Sequence, residues 1–248
     1  MTKLRWMISA NLKNLLQSPA LVIVYFGTAL LSTIVIGLIG YYSVIQPAIE
    51  SGYATSEMLS YMLGVIGYCT AFIVTGICYS TLFSTPLMRD KIHGNIESLL
   101  ATPTSVKLIW FAKTIALFIP GFVMGIAFSF GLMTIINVFY LSPEYEFMFN
   151  PWIMACTYLV LPLVFFALSL LMNLVGLIGR AMDGGVIGII FVSGVPILVI
   201  NLLARNITDG RSWPFLVVNL GLAGALLVAT RLCRGMLQTE RVVLSCRK

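Results

Sequence analysis

Six long apolar runs dominate the pattern of hydrophobic and polar positions along the chain. Each has about the 20 residues, or more, that a helix needs to cross roughly 30 Å of hydrocarbon. In lipid every backbone polar group must be bonded internally, so runs of this length predict a bundle of helices. We therefore predict an all-α membrane protein with six transmembrane helices. The runs are Ala20–Ile45, Met58–Leu87, Leu108–Leu141, Trp152–Ile178, Val186–Leu203 and Trp213–Leu232.

Two of the runs carry a feature that should disturb a straight span. The third is too long to cross the bilayer perpendicularly, so we expect it to tilt, to break near Pro120–Gly121, or to project from the membrane. The fourth contains Pro162, which lacks an N–H donor and predicts a kink.

The chain before the first run has a different periodicity. Its apolar residues recur at three- and four-residue spacing and form one stripe, and its polar residues lie largely off that stripe. This pattern is typical of an amphipathic helix at the membrane surface. A helix packed on a partner subunit fits the same pattern. We assign residues 1–19 to this interfacial helix, 20–233 to the transmembrane domain and 234–248 to a cytoplasmic tail. The stripe consists of Leu4, Met7, Ile8, Leu12, Leu15 and Leu16.

Charge is scarce and unevenly placed. Hydrophobic residues make up 59% of the chain and charged residues 10%, whereas roughly a quarter of the residues of soluble domains are charged. With six spans, all Lys and Arg residues except Arg205 and Arg211 fall on one face. The positive-inside rule then places both termini in the cytoplasm, with the chain in the cell (inner) membrane. The net charge of +6 is thus a topology signal, and no soluble basic face for nucleic acid is present.

The spans lack the residue types that ion-coupled carriers, enzymes and ATPases use. Ion-coupled carriers need ionisable groups at membrane depth, but here each charge falls in a loop or near the end of a run. His93 is the single histidine, and no phosphate-binding G-x-x-x-x-G-K-[ST] motif occurs. We therefore expect no catalytic residue, metal site or cofactor in this chain, and we expect energy to enter from outside the bilayer.

The interval from Met88 to Lys113 gathers many of the few charges between the second and third runs. Within it, Arg89 to Ala101 predicts one short cytoplasmic helix that Pro103 ends. Its apolar positions Ile92, Ile96, Leu99 and Leu100 recur every three to four residues on one face, so it is suited to dock into a groove on a soluble partner. A solvated loop whose charges only set orientation is the alternative interpretation. We name residues 88–107 the coupling segment.

The order of residues in this segment resembles the signature of type-2 ABC exporter permeases. An acidic and basic pair, Asp90 and Lys91, precedes a Gly, a Glu, two Leu and a Pro, and a Lys follows at position 113. In that family this segment contacts separate ATPase subunits, which bind ATP and Mg²⁺. The charge pattern departs from the family at Ile92 and His93, where many members carry an acidic and a basic residue. The resemblance implies a coupling role for Asp90, Gly94, Glu97, Leu99, Leu100 and Pro103.

The resemblance also implies a substrate route. Two permease chains, expected to be copies of one another, would line it with their first, second and fifth spans. Short outer loops and uncharged spans favour an apolar or amphipathic cargo. An ATP-independent channel or facilitator and a membrane-embedded enzyme of lipid chemistry are the alternatives. The candidate polar contacts of the route are Tyr68, Thr75, Tyr79, Ser193 and Asn201, and these residues can equally satisfy one another between helices.

Overall fold

The computed structural model describes residues 2–52, 54–101, 104–141, 147–204 and 212–246. Within these ranges the chain is helical apart from short turns and connections, without a strand, and six helical stretches are long and apolar enough to span a membrane. Fold class and span number therefore agree with the sequence prediction. The α-helices are α1 (Thr2–Leu16), α2 (Pro19–Gly40), α3 (Gln46–Glu50), α4 (Ser56–Leu82), α5 (Ser84–Ile92), α6 (Asn95–Leu100), α7 (Val106–Ile135), α8 (Pro151–Ala155), α9 (Leu161–Ile178), α10 (Ala181–Ala204), α11 (Trp213–Arg234) and α12 (Thr239–Cys246).

Three of the spans contain a π-helical turn, which joins two of these helices in the first and fourth spans and follows α7 at the end of the third. The turns are Tyr41–Ile45 in the first span (Pro19–Glu50), Ile136–Leu141 in the third (Val106–Leu141) and Cys156–Val160 in the fourth (Pro151–Ile178). The second span is formed by α4 and α5, the fifth by α10 and the sixth by α11.

Capping side chains fix where several helices begin. The Thr55 hydroxyl accepts a hydrogen bond from the Met58 N–H at the start of α4, and Ser105 does the same for Leu108 at the start of α7. Asn150 accepts from two backbone N–H groups in the first turn of α8. Each bond satisfies a donor that the helix itself leaves unpaired.

The second and fourth spans form the centre of the bundle. Two thirds (67%) of the residues in the apolar window of each are buried, against 17% to 28% in the other four spans. The α4 helix packs against α2, α7 and α10, while α9 packs against α7, α10 and α11. The outer spans therefore surround two inner ones, and their apolar outer faces suit lipid or a second protein chain.

The two prolines have different consequences. Helix α7 continues through Pro120 without interruption to Ile135, so a break near Pro120–Gly121, one of the three expected alternatives, is wrong. At about 1.5 Å per residue a 36-residue span still exceeds the hydrocarbon thickness, which leaves tilt or projection. Pro162 lies in the first turn of α9, directly after the π-helical turn, where its missing N–H is tolerated.

The N-terminal helix α1 packs on its own chain. Met7 and Leu15 of the predicted stripe are buried, and Met7 belongs to a cluster with Ile109 and Ala112 of α7. Trp6, in contrast, is 68% exposed. Most of the stripe thus faces the bundle, although Leu16 at its end is 49% exposed. A position at the membrane surface stays a prediction.

The coupling segment is not the single helix that its apolar spacing predicts. Helix α5 continues the second span to Ile92 and α6 begins at Asn95. Between them Gly94 has φ +67°, a left-handed conformation that glycine adopts without steric cost. The N–H groups of His93 and Gly94 donate to the carbonyls of Arg89 and Lys91, which closes α5. The chain therefore turns at Gly94 and changes direction before α6.

Candidate coupling site and substrate route

The coupling segment lies on the same face of the bundle as α1, the turn between α9 and α10, and α12. We call this the terminal face. Helix α6 contacts both α5 and α12, and α1 contacts the start of α7. The predicted coupling residues therefore sit among four other elements and do not form an isolated loop.

Asp90, a predicted coupling residue, is engaged inside the chain. Its carboxylate forms an ion pair with Lys113 of α7, and the two side chains are 13% and 9% exposed. The other carboxylate oxygen accepts a hydrogen bond of 3.1 Å from the Asn95 amide, and Lys113 also lies 3.5 Å from the Asn11 amide oxygen of α1. Asp90 thus joins α5 to α7, with α1 beside the pair.

Lys91 is also engaged inside the chain, but on the opposite side. It is 7% exposed, and its Nζ donates to the carbonyls of Leu177 and Gly179 at 3.3 and 2.6 Å and to the Ser245 hydroxyl at 2.9 Å. The sequence presents Lys91 as the basic member of the signature pair or, in the alternative interpretation, as a charge that sets orientation. Its acceptors lie far along the chain, at the end of α9 and in α12, so no local pattern indicates them.

The side chains of the predicted docking residues in α6 differ in their solvent exposure. Ile96 is buried, whereas Glu97 is half-buried and has no side-chain partner among the described residues. Leu99 and Leu100 are partly buried against the cluster formed by Met7 and its neighbours. The Leu pair therefore holds α6 to α1 and α7 as well as presenting a surface. Pro103 lies outside the described residues.

The outward side of the segment carries residues that the signature does not include. Ile92 is 67% exposed and Met88 45% exposed, and both lie on α5. Arg89 and His93 next to them are exposed as well. An exposed apolar pair flanked by basic groups is a suitable docking surface for another protein. Ile92 was predicted to share one apolar face with Ile96, but the turn at Gly94 separates them.

Three of the predicted route residues lie inside the protomer. Tyr68 is 2% exposed and its hydroxyl donates to the Asn219 amide oxygen of α11 at 2.7 Å. Tyr79 is fully buried and donates to the Phe165 carbonyl of α9 at 2.9 Å. Thr75 is buried and donates to its own helix, with the Gly121 carbonyl of α7 at 3.3 Å. Each joins α4 to a neighbouring helix.

Ser193 and Asn201 lie elsewhere, on the exposed side of α10. Ser193 donates to the Ile189 carbonyl, and Asn201 donates to the Ile197 carbonyl at 2.8 Å, so each is bonded within its own helix. The five predicted route residues thus form two groups, one inside the protomer and one on an outward face of the fifth span.

An apolar groove runs between α2 and α7. It has a volume of about 470 Å³. Tyr41 and Tyr140 meet at one end with ring centroids 4.3 Å apart, and Phe26 and Phe128 meet towards the other end at 5.7 Å. The hydroxyl of Thr33, which lines the groove, donates to the Ala29 carbonyl of its own helix. The groove therefore offers an almost wholly apolar surface with tyrosines at one end.

Comparison with known proteins agrees with this architecture. The model of the ABC-2 type transporter family matches residues 2–203, most of the chain and every described part of the coupling segment. No curated protein and no solved structure matches the chain. The chain therefore belongs to the ABC-2 type transporter family, as a multi-pass permease.

Proposed function

We propose that this permease is the transmembrane half of an ATP-driven exporter. Two copies of the chain form the membrane part, and separate ATPase subunits bind ATP and Mg²⁺ at the terminal face. The excess of basic residues on that face favours a cytoplasmic position for both termini, in the cell (inner) membrane. Closure of the ATPase pair pushes the coupling segments and shifts the bundles between inward- and outward-facing states.

The observation that carries this proposal is the two-sided character of the coupling segment. Its inner side is held by Asp90 and Lys91, whose partners belong to α7, α9 and α12. Its outer side exposes Met88 and Ile92 together with the charged Arg89. A segment that receives a push needs an exposed contact surface and rigid contacts behind it, and this segment has both.

The groove between α2 and α7 supports an apolar or amphipathic cargo. From Leu30 to Tyr42 its α2 side spans about 18 Å at 1.5 Å per residue, which is close to the roughly 15 Å depth of one bilayer leaflet. A single lipid-like tail fits this length, and the tyrosine hydroxyls suit a polar head at the interface.

Purification from native membranes separates this function from its alternatives. We expect a nucleotide-binding subunit to be recovered with the permease, and ATP hydrolysis by the complex to respond to amphipathic compounds. A channel, a facilitator or a lipid-modifying enzyme needs no such subunit. Recovery of the permease alone, under conditions that keep other membrane complexes intact, would remove the proposal.

Variants at the outer side of the segment test the docking surface. Glu97→Ala and Ile92→Asp should each weaken recovery of the ATPase subunit by about tenfold, equivalent to about 1.4 kcal/mol. The exposed Lys107→Ala is the matched control and should leave recovery unchanged. The Leu99→Ala, Leu100→Ala double variant should lose both docking and stability, because these side chains also pack against α1 and α7. Wild-type recovery of Glu97→Ala and Ile92→Asp would leave the segment an orienting loop.

A further inference from the structure

Lys91 and Asp90 are neighbours that hold different parts of the bundle. Asp90 is directed to Lys113 near the start of α7. Lys91 is directed to the end of α9 and to α12. The last turn of α5 is therefore fastened to the third span on one side and to the fourth span on the other.

The Lys91 ammonium group caps the end of α9. Two of its acceptors, the Leu177 and Gly179 carbonyls, belong to the last turn of that helix and the residue after it. Carbonyls at a helix C-terminus lack intrahelical donors and carry the negative end of the helix dipole. A buried cation therefore binds there more strongly than a neutral donor.

Helix α12 completes this site from a third direction. The Ser245 hydroxyl accepts from Lys91 and itself lies 2.8 Å from the Leu177 carbonyl. Val242, one turn earlier, is 1% exposed and belongs to the main hydrophobic cluster. Helix α12 also contacts α6 and α9. It is thus fastened across the coupling segment and the end of the fourth span.

The connection between the fourth and fifth spans is short at this point. Helix α9 ends at Ile178 and α10 begins at Ala181, so Gly179 and Arg180 form the whole turn. The Asp183 carboxylate accepts from the Arg180 N–H at 2.8 Å and fixes the start of α10. Any displacement of the Gly179 carbonyl therefore acts on the ends of both spans.

We propose that Lys91 is the positioning residue through which movement of the coupling segment reaches the fourth and fifth spans, with α12 as the strap that keeps Lys91 on the end of α9. This inference rests on the proposed ATP-driven function. The inference gives α12, which the sequence presents as part of a cytoplasmic tail, the role of holding Lys91 in place. In this role Lys91 contacts neither nucleotide nor cargo and acts only through the α9–α10 turn.

Two cysteine reporters distinguish docking from transmission in the intact complex with its ATPase subunits. Ile92→Cys reports the docking side, and Met182→Cys reports the first turn of α10, where Met182 is 62% exposed. Cys233 and Cys246 are first replaced by Ser. The rate of maleimide labelling is measured without nucleotide and with ATP and vanadate. In the parent background we expect ATP to change labelling at both reporters.

Lys91→Met should separate the two reporters. ATP should still change labelling of Ile92→Cys, whereas its effect on Met182→Cys should fall by about tenfold, the equivalent of one charged hydrogen bond. Lys91→Arg keeps a charged donor and should retain most of the effect. Ser245→Ala removes one acceptor and should reduce it partly. Lys107→Met is the control and should behave as the parent.

Each outcome decides between the proposals. Equal ATP effects on Met182→Cys in the parent and Lys91→Met forms would overturn the inference, as would a parent in which only Ile92→Cys responds. If no ATPase subunit is recovered and neither reporter responds, the proposed function itself fails and the inference falls with it. If Lys91→Met is not recovered from membranes, Ser245→Ala is the deciding variant, and a parent-like Met182→Cys response then counts against the strap.

Discussion

Asp90 is a residue that the chain uses to hold its own helices together at the site where a partner is expected to push. Its ion pair with Lys113 is largely buried, with side chains 13% and 9% exposed. Removing one member of a buried pair leaves the other charge uncompensated, and this costs more than losing both. A coupling role of Asp90, which the resemblance implies, would therefore act through α7 and would involve no free charge at the surface.

A double-mutant cycle tests this at residue scale. Asp90→Asn and Lys113→Gln should each lower the free energy of unfolding by about 3 kcal/mol, and the double variant should lose clearly less than the sum. Thermal unfolding of the purified protein in one detergent gives the measurement. Strict additivity would show that the two side chains do not interact. The exposed Lys107→Gln is the control and should be nearly silent.

Side-chain contacts between distant positions are the part of the site that the sequence predicts least. Asp90, Gly94 and Glu97 can be proposed as coupling residues from the sequence because the signature is local, within one short segment. The partners of Lys91 are not local: Leu177 and Gly179 lie 86 and 88 positions away, and Ser245 lies 154 positions away. Only the fold brings them together, so the sequence does not indicate which groups Lys91 contacts.

Among the helices, the turn at Gly94 determines which apolar side chains of the coupling segment are exposed. The spacing of Ile92 and Ile96 fits one helix, and a glycine inside a helical pattern is compatible with it. The structure uses Gly94 at φ +67°, so Ile96 is buried while Ile92 is 67% exposed. A single-helix prediction therefore placed on one face two residues that the chain separates.

Substitution at Gly94 should reveal this conformation. A Cβ there meets nothing within 4 Å, so the cost of Gly94→Ala is conformational and about 1 to 2 kcal/mol. Gly94→Asn should cost less, because Asn tolerates the left-handed region. Unfolding temperature and ATPase recovery should follow the order Gly, Asn, Ala. Gly235→Ala is a control at another open position that has ordinary φ −60°, and an equal loss there would argue against the strained turn.

At the scale of the whole molecule, hydropathy predicts the number of spans but not their arrangement. Bilayer thickness imposes a length on each span, and this length is visible in sequence. All six spans have similar mean hydropathy, from 1.8 to 2.4, yet the second and fourth are 67% buried and the first only 17%. Lipid is as apolar as a helix core, so composition alone does not separate the central spans from the peripheral ones.

The fifth span is our candidate for the contact with the proposed second copy. Ser193 and Asn201 are polar and exposed on α10, with Ile197 between them on the same stripe. Each polar side chain is bonded only to its own helix in the described contacts. Polar side chains in spans commonly face other helices or a route, so we expect the proposed dimer interface and substrate route to include this stripe.

Cysteine cross-linking between copies tests that arrangement. Ser193→Cys and Ile197→Cys should form disulfide-linked dimers under mild oxidation in membranes, because the stripe would lie close to its counterpart across a two-fold axis. Leu227→Cys, on an exposed part of α11, is the matched control and should stay monomeric. If the substrate route runs along this interface, ATP with vanadate should change the cross-linking rate of Ser193→Cys, since the two bundles then move relative to each other. Cross-linking at Leu227→Cys without any at Ser193→Cys would instead place the sixth span at the interface and leave the stripe on α10 facing lipid.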